Sequence, residues 1–365
     1  MTTSNASLFE PGHVGDLTLS NRLVMAPMTR ARASDDRVPT PIMGTYYEQR
    51  ASAGLIVSEG VVVSPMAAGY IKVPGIYSSE QIAAWRAITD RVHAAGGYIF
   101  AQIWHVGRMS HPELLDGRLP LAPSGINPNS TAYTRTGRTA TVTPKAMSIE
   151  EIAGTVSDFR QAALNAVEAG FDGVEIHAAN GYLFHQFFAP SANSRTDAYG
   201  GSVENRSRLL FEVLDAVSAA IGSRHIGVRL NPAMHDADGI MLDAELERTM
   251  DYVFERLNGH DLAYVHLAAL PYHPEEEAAE ATIAFAQRYR KLYKGTLILN
   301  TAMTAEAAIQ AIETGMADLV AFGKPFISNP DFARRIRDGL PLTPPDPATF
   351  FEGEERGYID YPFAS

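Results

Sequence analysis

The stretch GFDGVEIHAANGYLFHQFFAP, residues 170–190, begins as a buried strand and ends among polar and aromatic side chains. Val174 and Ile176 alternate with Glu175 and His177, and Asn180 and Tyr182 follow at once. Burying such groups without partners costs on the order of several kcal/mol. A carboxylate, an imidazole, an amide and a phenol at the mouth of an apolar strand therefore satisfy one another or meet a ligand.

Similar apolar, often β-branched runs recur at 22–28, 55–63, 98–104, 226–230, 264–268, 297–301 and 318–323. Between them lie segments with helical periodicity. SIEEIAGTVSDFRQAALNAVEAG opens with Ser148 three residues before Glu151, a capping-box pattern, and ends at Gly170. SSEQIAAWRAITDRVHAAGG ends at Gly96-Gly97 in the same manner. Strand and helix alternate eight times without a break in composition, which predicts an α/β fold with a parallel sheet. The expectation is a (β/α)8 barrel spanning 1–365 as a single domain, with an open doubly wound sheet as the competitor. Two segments depart from the repeat. Residues 106–147, rich in Pro, Gly, Ser and Thr, are too long for an ordinary βα loop and are expected over the active-site face. The tail, 340–365, contains FFEGEERGYIDYPF and is expected to pack back over the barrel or to run as a surface strap.

In such a barrel strand residues alternate between interior and helix layer, and active sites lie at the C-terminal strand ends. Glu175 and His177 are then inward, as are Arg229 and Asn231 in the fifth strand and Gln102 and Trp104 in the third. The first strand, NRLVMAPMTR, ends on Pro27, Met28 and Thr29, with Thr29 at the rim. These polar residues converge on one end of one barrel. LVAFGKPF brings Gly323 and Lys324 to the eighth strand end, and LNTAMTAE opens a helix after the seventh. Loops in these two places are the common phosphate site of such barrels.

With 30 Lys and Arg against 42 Asp and Glu the net charge is −12, and no basic cluster stands out, so nucleic acid and anionic membrane are poor partners. The chain has no cysteine, which excludes disulfides, thiolate metal sites and a cysteine nucleophile. No run of about 18 apolar residues occurs, and the N-terminus lacks a signal-peptide pattern, so a cytoplasmic protein is expected. No G-x-S-x-G elbow, H-E-x-x-H pair or zinc-spaced histidine set is present, and no metal is expected. Glu59 and Glu175 are candidates for the facing carboxylates of a glycosidase, and Lys324 for a Schiff-base lysine. Each of those chemistries lacks a further part.

The chain resembles the old yellow enzyme family of FMN-dependent ene-reductases over almost its whole length. The likeness is carried by NRLVMAPMTR, YYEQRASAGLIVSEG, PGIYSSEQIAAW, AQIWHVGR, the long run from Gly170 through NSRTDAYGGSVENRSRL, IGVRLNP, VAFGKPFISNPDF and GYIDYP. It is strongest toward the bacterial branch that reduces pentaerythritol tetranitrate, N-ethylmaleimide and morphinone. The resemblance implies tightly held, non-covalent FMN and NADPH or NADH as reductant. Thr29 would hydrogen-bond the flavin O4, and Pro27, Met28 and Gly60 would line the ring. Gln102 would meet the pyrimidine edge, and Arg229 would lie near N1 and O2, where charge tunes flavin electronics. The backbone at Thr301, Ala302 and Gly323, with Lys324, would hold the phosphate. His177 and Asn180 would bind the substrate oxygen, and Tyr182 would donate the proton to the α-carbon after hydride reaches the β-carbon. Tyr70, Trp104 and Phe351 would shape the substrate pocket. Glu175 has no catalytic role in this scheme and is expected to be a partnered structural carboxylate.

Three positions depart from the family pattern. Lys324 stands where arginine is common, losing a bidentate fork. Thr301 and Ala302 replace a segment that commonly contains glycine, and Phe351 replaces a tyrosine. The implied activity is ping-pong reduction of electron-poor C=C bonds in α,β-unsaturated carbonyls, maleimides and nitroalkenes. Alternatives are a nitroester or nitroaromatic reductase at the same site, a flavin carrier or sensor, and a flavin-free barrel lyase. Loops 106–147 and 270–280 are expected to set substrate preference, and a monomer or homodimer is expected.

Overall fold

Eight buried strands pair in chain order and close on themselves: β1 (Leu23–Met25), β2 (Leu55–Val62), β3 (Ile99–Trp104), β4 (Gly173–Ala178), β5 (Ile226–Leu230), β6 (Tyr264–Ala268), β7 (Leu297–Asn300) and β8 (Leu319–Phe322). The computed structural model describes residues 5–234, 237–269 and 275–365, with the backbone alone for 275–281. Every apolar run read from the sequence holds one strand. All neighbours are parallel and β8 pairs with β1, so the barrel is closed and the open sheet is excluded. Strands covered on both faces read as continuous apolar runs, which is why these segments stand out.

The outer layer follows from capping and amphipathic periodicity. The helices are α1 (Pro41–Glu48), α2 (Ser79–Ala94), α3 (Ile149–Glu168), α4 (Leu183–Phe188), α5 (Val203–Ile221), α6 (Ala244–Leu257), α7 (Glu275–Leu292), α8 (Ala305–Glu313), α9 (Lys324–Ser328) and α10 (Phe332–Asp338). Ser148 accepts the Glu151 N–H at 3.2 Å while the Glu151 carboxylate accepts the Ser148 N–H at 2.9 Å. That reciprocal pair starts α3 at the residue the capping box marks.

The barrel interior is apolar below and polar above. Val24, Leu55, Val57, Phe100, Ile298 and Leu319 pack with Val14 and Leu19, which come from a hairpin of Gly12–Val14 and Leu17–Leu19. The hairpin closes the lower end, where Gly15 N–H bonds the Ala263 carbonyl just before β6. Its three-residue strands are too short to show a period in the sequence. β2 carries an irregularity between Val57 and Gly60, which oppose Phe100 and Gln102. The extra residue reverses the phase: Val57 and Gly60 face inward, and Glu59 lies outward against Tyr47 of α1. The Glu59–Glu175 pairing is thereby corrected, since the two carboxylates lie on opposite sides of the wall.

Residues 106–147 form a hairpin (Thr131–Thr134 with Gly137–Ala140) and a short parallel pair (Leu121–Ala122 with Lys145–Ala146). The buried Arg108 fastens this insertion, donating to the carbonyls of Ile126 at 3.1 Å and of Asp238 and Gly239 at 3.0 Å. The tail does pack back. Arg30 donates to the carbonyls of Phe350, Thr349 and Gly357, and the Tyr358 ring stacks on Tyr46 at 4.2 Å. The preference loop expected at 270–280 lies largely outside the described residues.

Candidate active site

The upper strand ends gather the polar residues that alternation places inward. β4 sets His177 beside Arg229 of β5, and Arg229 beside His266 of β6. β3 sets Gln102 opposite Glu175. Arg229 donates from Nη2 to the Asn300 Oδ1 at 2.9 Å, while its buried Nε has no hydrogen-bond partner among the described residues. Glu175 does have partners, as expected of a structural carboxylate: Gln102 Nε2 at 2.7 Å and His266 Nδ1 at 2.8 Å. His266 and Asn300 were missed in the sequence. The alternation in YVHLA that makes Tyr264 inward also makes His266 inward, so the signal was there for the histidine.

His177 and Asn180 are each oriented from behind. The Ala179 N–H points at His177 Nδ1 at 3.4 Å, leaving the ring proton on Nε2. Burial, with the nearby Arg229 charge adding to it, pushes the imidazole well below its usual pKa, so it is neutral. Asn180 has a left-handed backbone, φ 57°, a conformation asparagine tolerates better than most residues. Its Oδ1 accepts from Asn231 Nδ2 at 2.9 Å, and Asn231 Oδ1 accepts the Ala233 N–H at 3.1 Å. The Asn180 NH2 is therefore the end left to donate.

Tyr182 stands just before α4, half-buried, with its hydroxyl 3.0 Å from that of Tyr70. Burial, reinforced by Tyr70, raises its pKa well above the ordinary phenol value, so it keeps its proton. Trp104 stacks on Tyr70 at 5.4 Å and on His177 at 5.9 Å, and meets Tyr182 edge-on at 4.8 Å. A Cβ on Gly60 would sit 2.2 Å from the Trp104 ring, so the glycine is what lets the indole lie there.

Pro27, Met28 and Thr29 lie just beyond β1, half-buried. The strand stops at Met25, and the Ala26 N–H still bonds Phe322 at 3.0 Å; Pro27 has no N–H to continue. Thr301 (φ 111°) and Ala302 (φ 49°) both adopt the positive φ that glycine favours. The loop thus takes a glycine-like course without glycine. Asn300 pairs with Ala321, which brings this loop beside Gly323 and the exposed Lys324. Phe351 is not drawn into the aromatic group; its side chain is 61% exposed in the tail.

Residues 7–343 match the family model described as NADH:flavin oxidoreductase / NADH oxidase. The chain belongs to this family, the old yellow enzymes. The chanoclavine-I aldehyde reductase fgaOx3 of Penicillium roqueforti (strain FM164) is 43% identical over 98% of this chain and 96% of its own length. The 12-oxophytodienoate reductase 1 of Oryza sativa subsp. japonica is 40% identical over 98% and 93%. Among solved structures, morphinone reductase superposes with a TM-score of 0.92 at 42% identity, covering 100% of this chain and 98% of that one. The old yellow enzyme homologue of Zymomonas mobilis gives 0.91 at 41%, covering 97% and 99%. This old yellow enzyme is an FMN-dependent NAD(P)H oxidoreductase that reduces activated C=C bonds. Its own residues fit the cofactor: the partnerless, buried Arg229 Nε suits an acceptor edge, and half-buried Pro27–Thr29 leave a ridge for a ring.

Proposed function

We propose that His177 and Asn180 bind and polarise the oxygen of an electron-poor alkene, and that Tyr182 protonates its α-carbon. The observation that carries this reading is that both N–H donors are fixed from behind by partners of their own and border a phenol that keeps its proton. FMN, when bound, would supply the hydride, with NADPH or NADH as its reductant. Donors already aimed at developing negative charge need no reorganisation as it forms. Trp104 and Tyr70 wall the pocket, and Tyr70 also holds the Tyr182 hydroxyl. Thr29 would bond the flavin O4, Gln102 the pyrimidine edge and Arg229 its N1 side. Pro27, Met28 and Gly60 would line the ring, and Thr301, Ala302, Gly323 and Lys324 the phosphate. Phe351 would border the pocket from the tail, whose next residue bonds the Arg30 carbonyl beside Thr29.

The substrate class is a small electron-poor alkene: an α,β-unsaturated carbonyl, a maleimide or a nitroalkene. Among the described residues no helix is long and apolar enough to cross a membrane. A single domain over 1–365, a cytoplasmic location and a monomer or homodimer that binds no nucleic acid belong to the same proposal.

Anaerobic stopped-flow tests it. The enzyme is reduced with NADPH or NADH, then mixed with cyclohexenone, N-ethylmaleimide or glycerol trinitrate. Tyr182→Phe is expected to slow reoxidation by the enone by roughly 10²-fold and to leave reduction by nicotinamide unchanged. Equal slowing of both half-reactions, or an unaffected enone rate, overturns the assignment. Faster reoxidation by glycerol trinitrate than by any alkene would favour the nitroester reading.

A further inference from the structure

Glu175 takes no part in binding or proton transfer as described, yet its side chain is fully buried and holds two neighbours. Gln102 Nε2 donates to Oε1 at 2.7 Å, and His266 Nδ1 lies 2.8 Å from Oε2. Burial by itself would raise the carboxyl pKa. His266, the charge of Arg229 and the Gln102 N–H outweigh it and bring the pKa below the usual value, so Glu175 is ionised at neutral pH. An ionised carboxylate can only accept hydrogen bonds. The end of the Gln102 amide that faces it is therefore the NH2, and the carbonyl oxygen lies at the other end. By the same logic the His266 proton is on Nδ1.

We infer that Glu175 is a positioning residue that fixes the polarity of the Gln102 amide, so that the flavin pyrimidine edge meets a carbonyl acceptor and not an amide donor. The inference rests on the proposed contact between Gln102 and that edge. The edge carries one N–H, at N3, between two carbonyl groups; a reversed amide could donate to a flanking carbonyl but would leave the N3–H without its acceptor. The lock is built into the sheet, because Glu175 and Gln102 are register partners on β4 and β3. The groups facing Glu175 are Gln102 from β3, Arg229 from β5, and Tyr264 and His266 from β6. Among them the negative charge of Glu175 also tempers the positive charge of Arg229.

Replacing Glu175 by glutamine keeps the shape but lets the Gln102 amide turn and removes one negative charge. FMN affinity is expected to fall roughly tenfold, the loss of about one hydrogen bond. The reduced cofactor, being more negative, is expected to gain on the oxidised one. A tenfold gain is ~30 mV for a two-electron couple.

The test uses Glu175→Gln, Gln102→Leu and the double variant, each checked for fold by circular dichroism. FMN dissociation constants are measured on the apoprotein and midpoint potentials on the holoenzyme. The expected result is weaker FMN binding and a more positive potential in Glu175→Gln, with no further loss of affinity when it is added to Gln102→Leu. A Glu175→Gln protein with wild-type affinity and potential, or full additivity in the double variant, overturns the inference. Normal FMN binding by Gln102→Leu removes the Gln102 contact itself, and the inference with it. If Glu175→Gln does not fold, His266→Leu serves, since it strips one donor and raises the carboxyl pKa. FMN affinity should then fall more steeply on acidification than in the wild type, and a parallel profile overturns the inference.

Discussion

Two carboxylates lie on opposite sides of the barrel wall, both buried from solvent, and the fold treats them in opposite ways. Glu175, inside, takes hydrogen bonds at 2.7 and 2.8 Å and stays ionised. Glu59, outside, is pushed up to about 7 by burial, only partly offset by Arg30, Tyr47 and Arg32. One of its oxygens accepts from Tyr47 at 3.2 Å and the other meets no side-chain donor among the described residues. Arginines flank both, so proximity to positive charge is not what separates them. Arg30 gives Nε and Nη2 to the tail carbonyls of Phe350, Thr349 and Gly357 and Nη1 to the Tyr46 hydroxyl. Arg32 gives Nη1 to the Arg30 and Phe350 carbonyls and Nη2 to that of Thr349. What separates the two carboxylates is the balance against burial: His266, Arg229 and Gln102 outweigh it at Glu175, while Arg30, Tyr47 and Arg32 do not at Glu59. The inner cluster faces the site proposed for the cofactor edge, and the outer one holds the C-terminal tail against α1.

If the outer cluster serves stability, its strongest anchor should show it. Arg50 donates to the carbonyls of Phe326, Ile327 and Tyr46 at 2.7–2.8 Å and lies over the Tyr46 ring. Arg50→Met is expected to lower unfolding stability by about 4 kcal/mol in urea titrations, with nicotinamide reduction of the surviving holoenzyme unchanged.

If the inner rim serves chemistry, replacing both His177 and Asn180 by alanine should slow enone reoxidation by roughly 10²–10³-fold. Urea stability should move by no more than about 1 kcal/mol. A large stability loss with little kinetic effect would erase the distinction between the two sides.

The carboxylates themselves give the pH test. Folded, Glu59 holds its proton to about pH 7; its ordinary value is 4.5. The native chain then binds more protons than the unfolded one between these values. Its contribution to stability is greatest below about pH 4.5, falls by about 3 kcal/mol by pH 7, and levels off about one unit above that. Glu59→Gln should abolish that slope, as read from urea midpoints across the range; a retained slope would move it to another group.

A site with neither buried charge nor partner marks the small end. Ala302 sits at φ 49°, and Ala302→Gly should relieve a backbone cost of roughly 0.5–1 kcal/mol, visible as a modest rise in melting temperature. Destabilisation would mean that the alanine methyl packs usefully.

The sequence by itself determined the eight strands, the capped helices, the inward phase of Gln102, Trp104, Glu175, His177 and Arg229, and through its motifs the family. These follow from periods of 2 and 3.6 residues and from local capping, which a linear chain displays directly. Tertiary structure alone decided the rest. The irregularity in β2 turned Glu59 out and Gly60 in, because one extra residue reverses a strand's phase without altering its composition. Tail carbonyls, distant in sequence, claimed Nε and Nη2 of Arg30 and Nη2 of Arg32. Which partner a buried polar group meets depends on contacts across the barrel, and no local period encodes those.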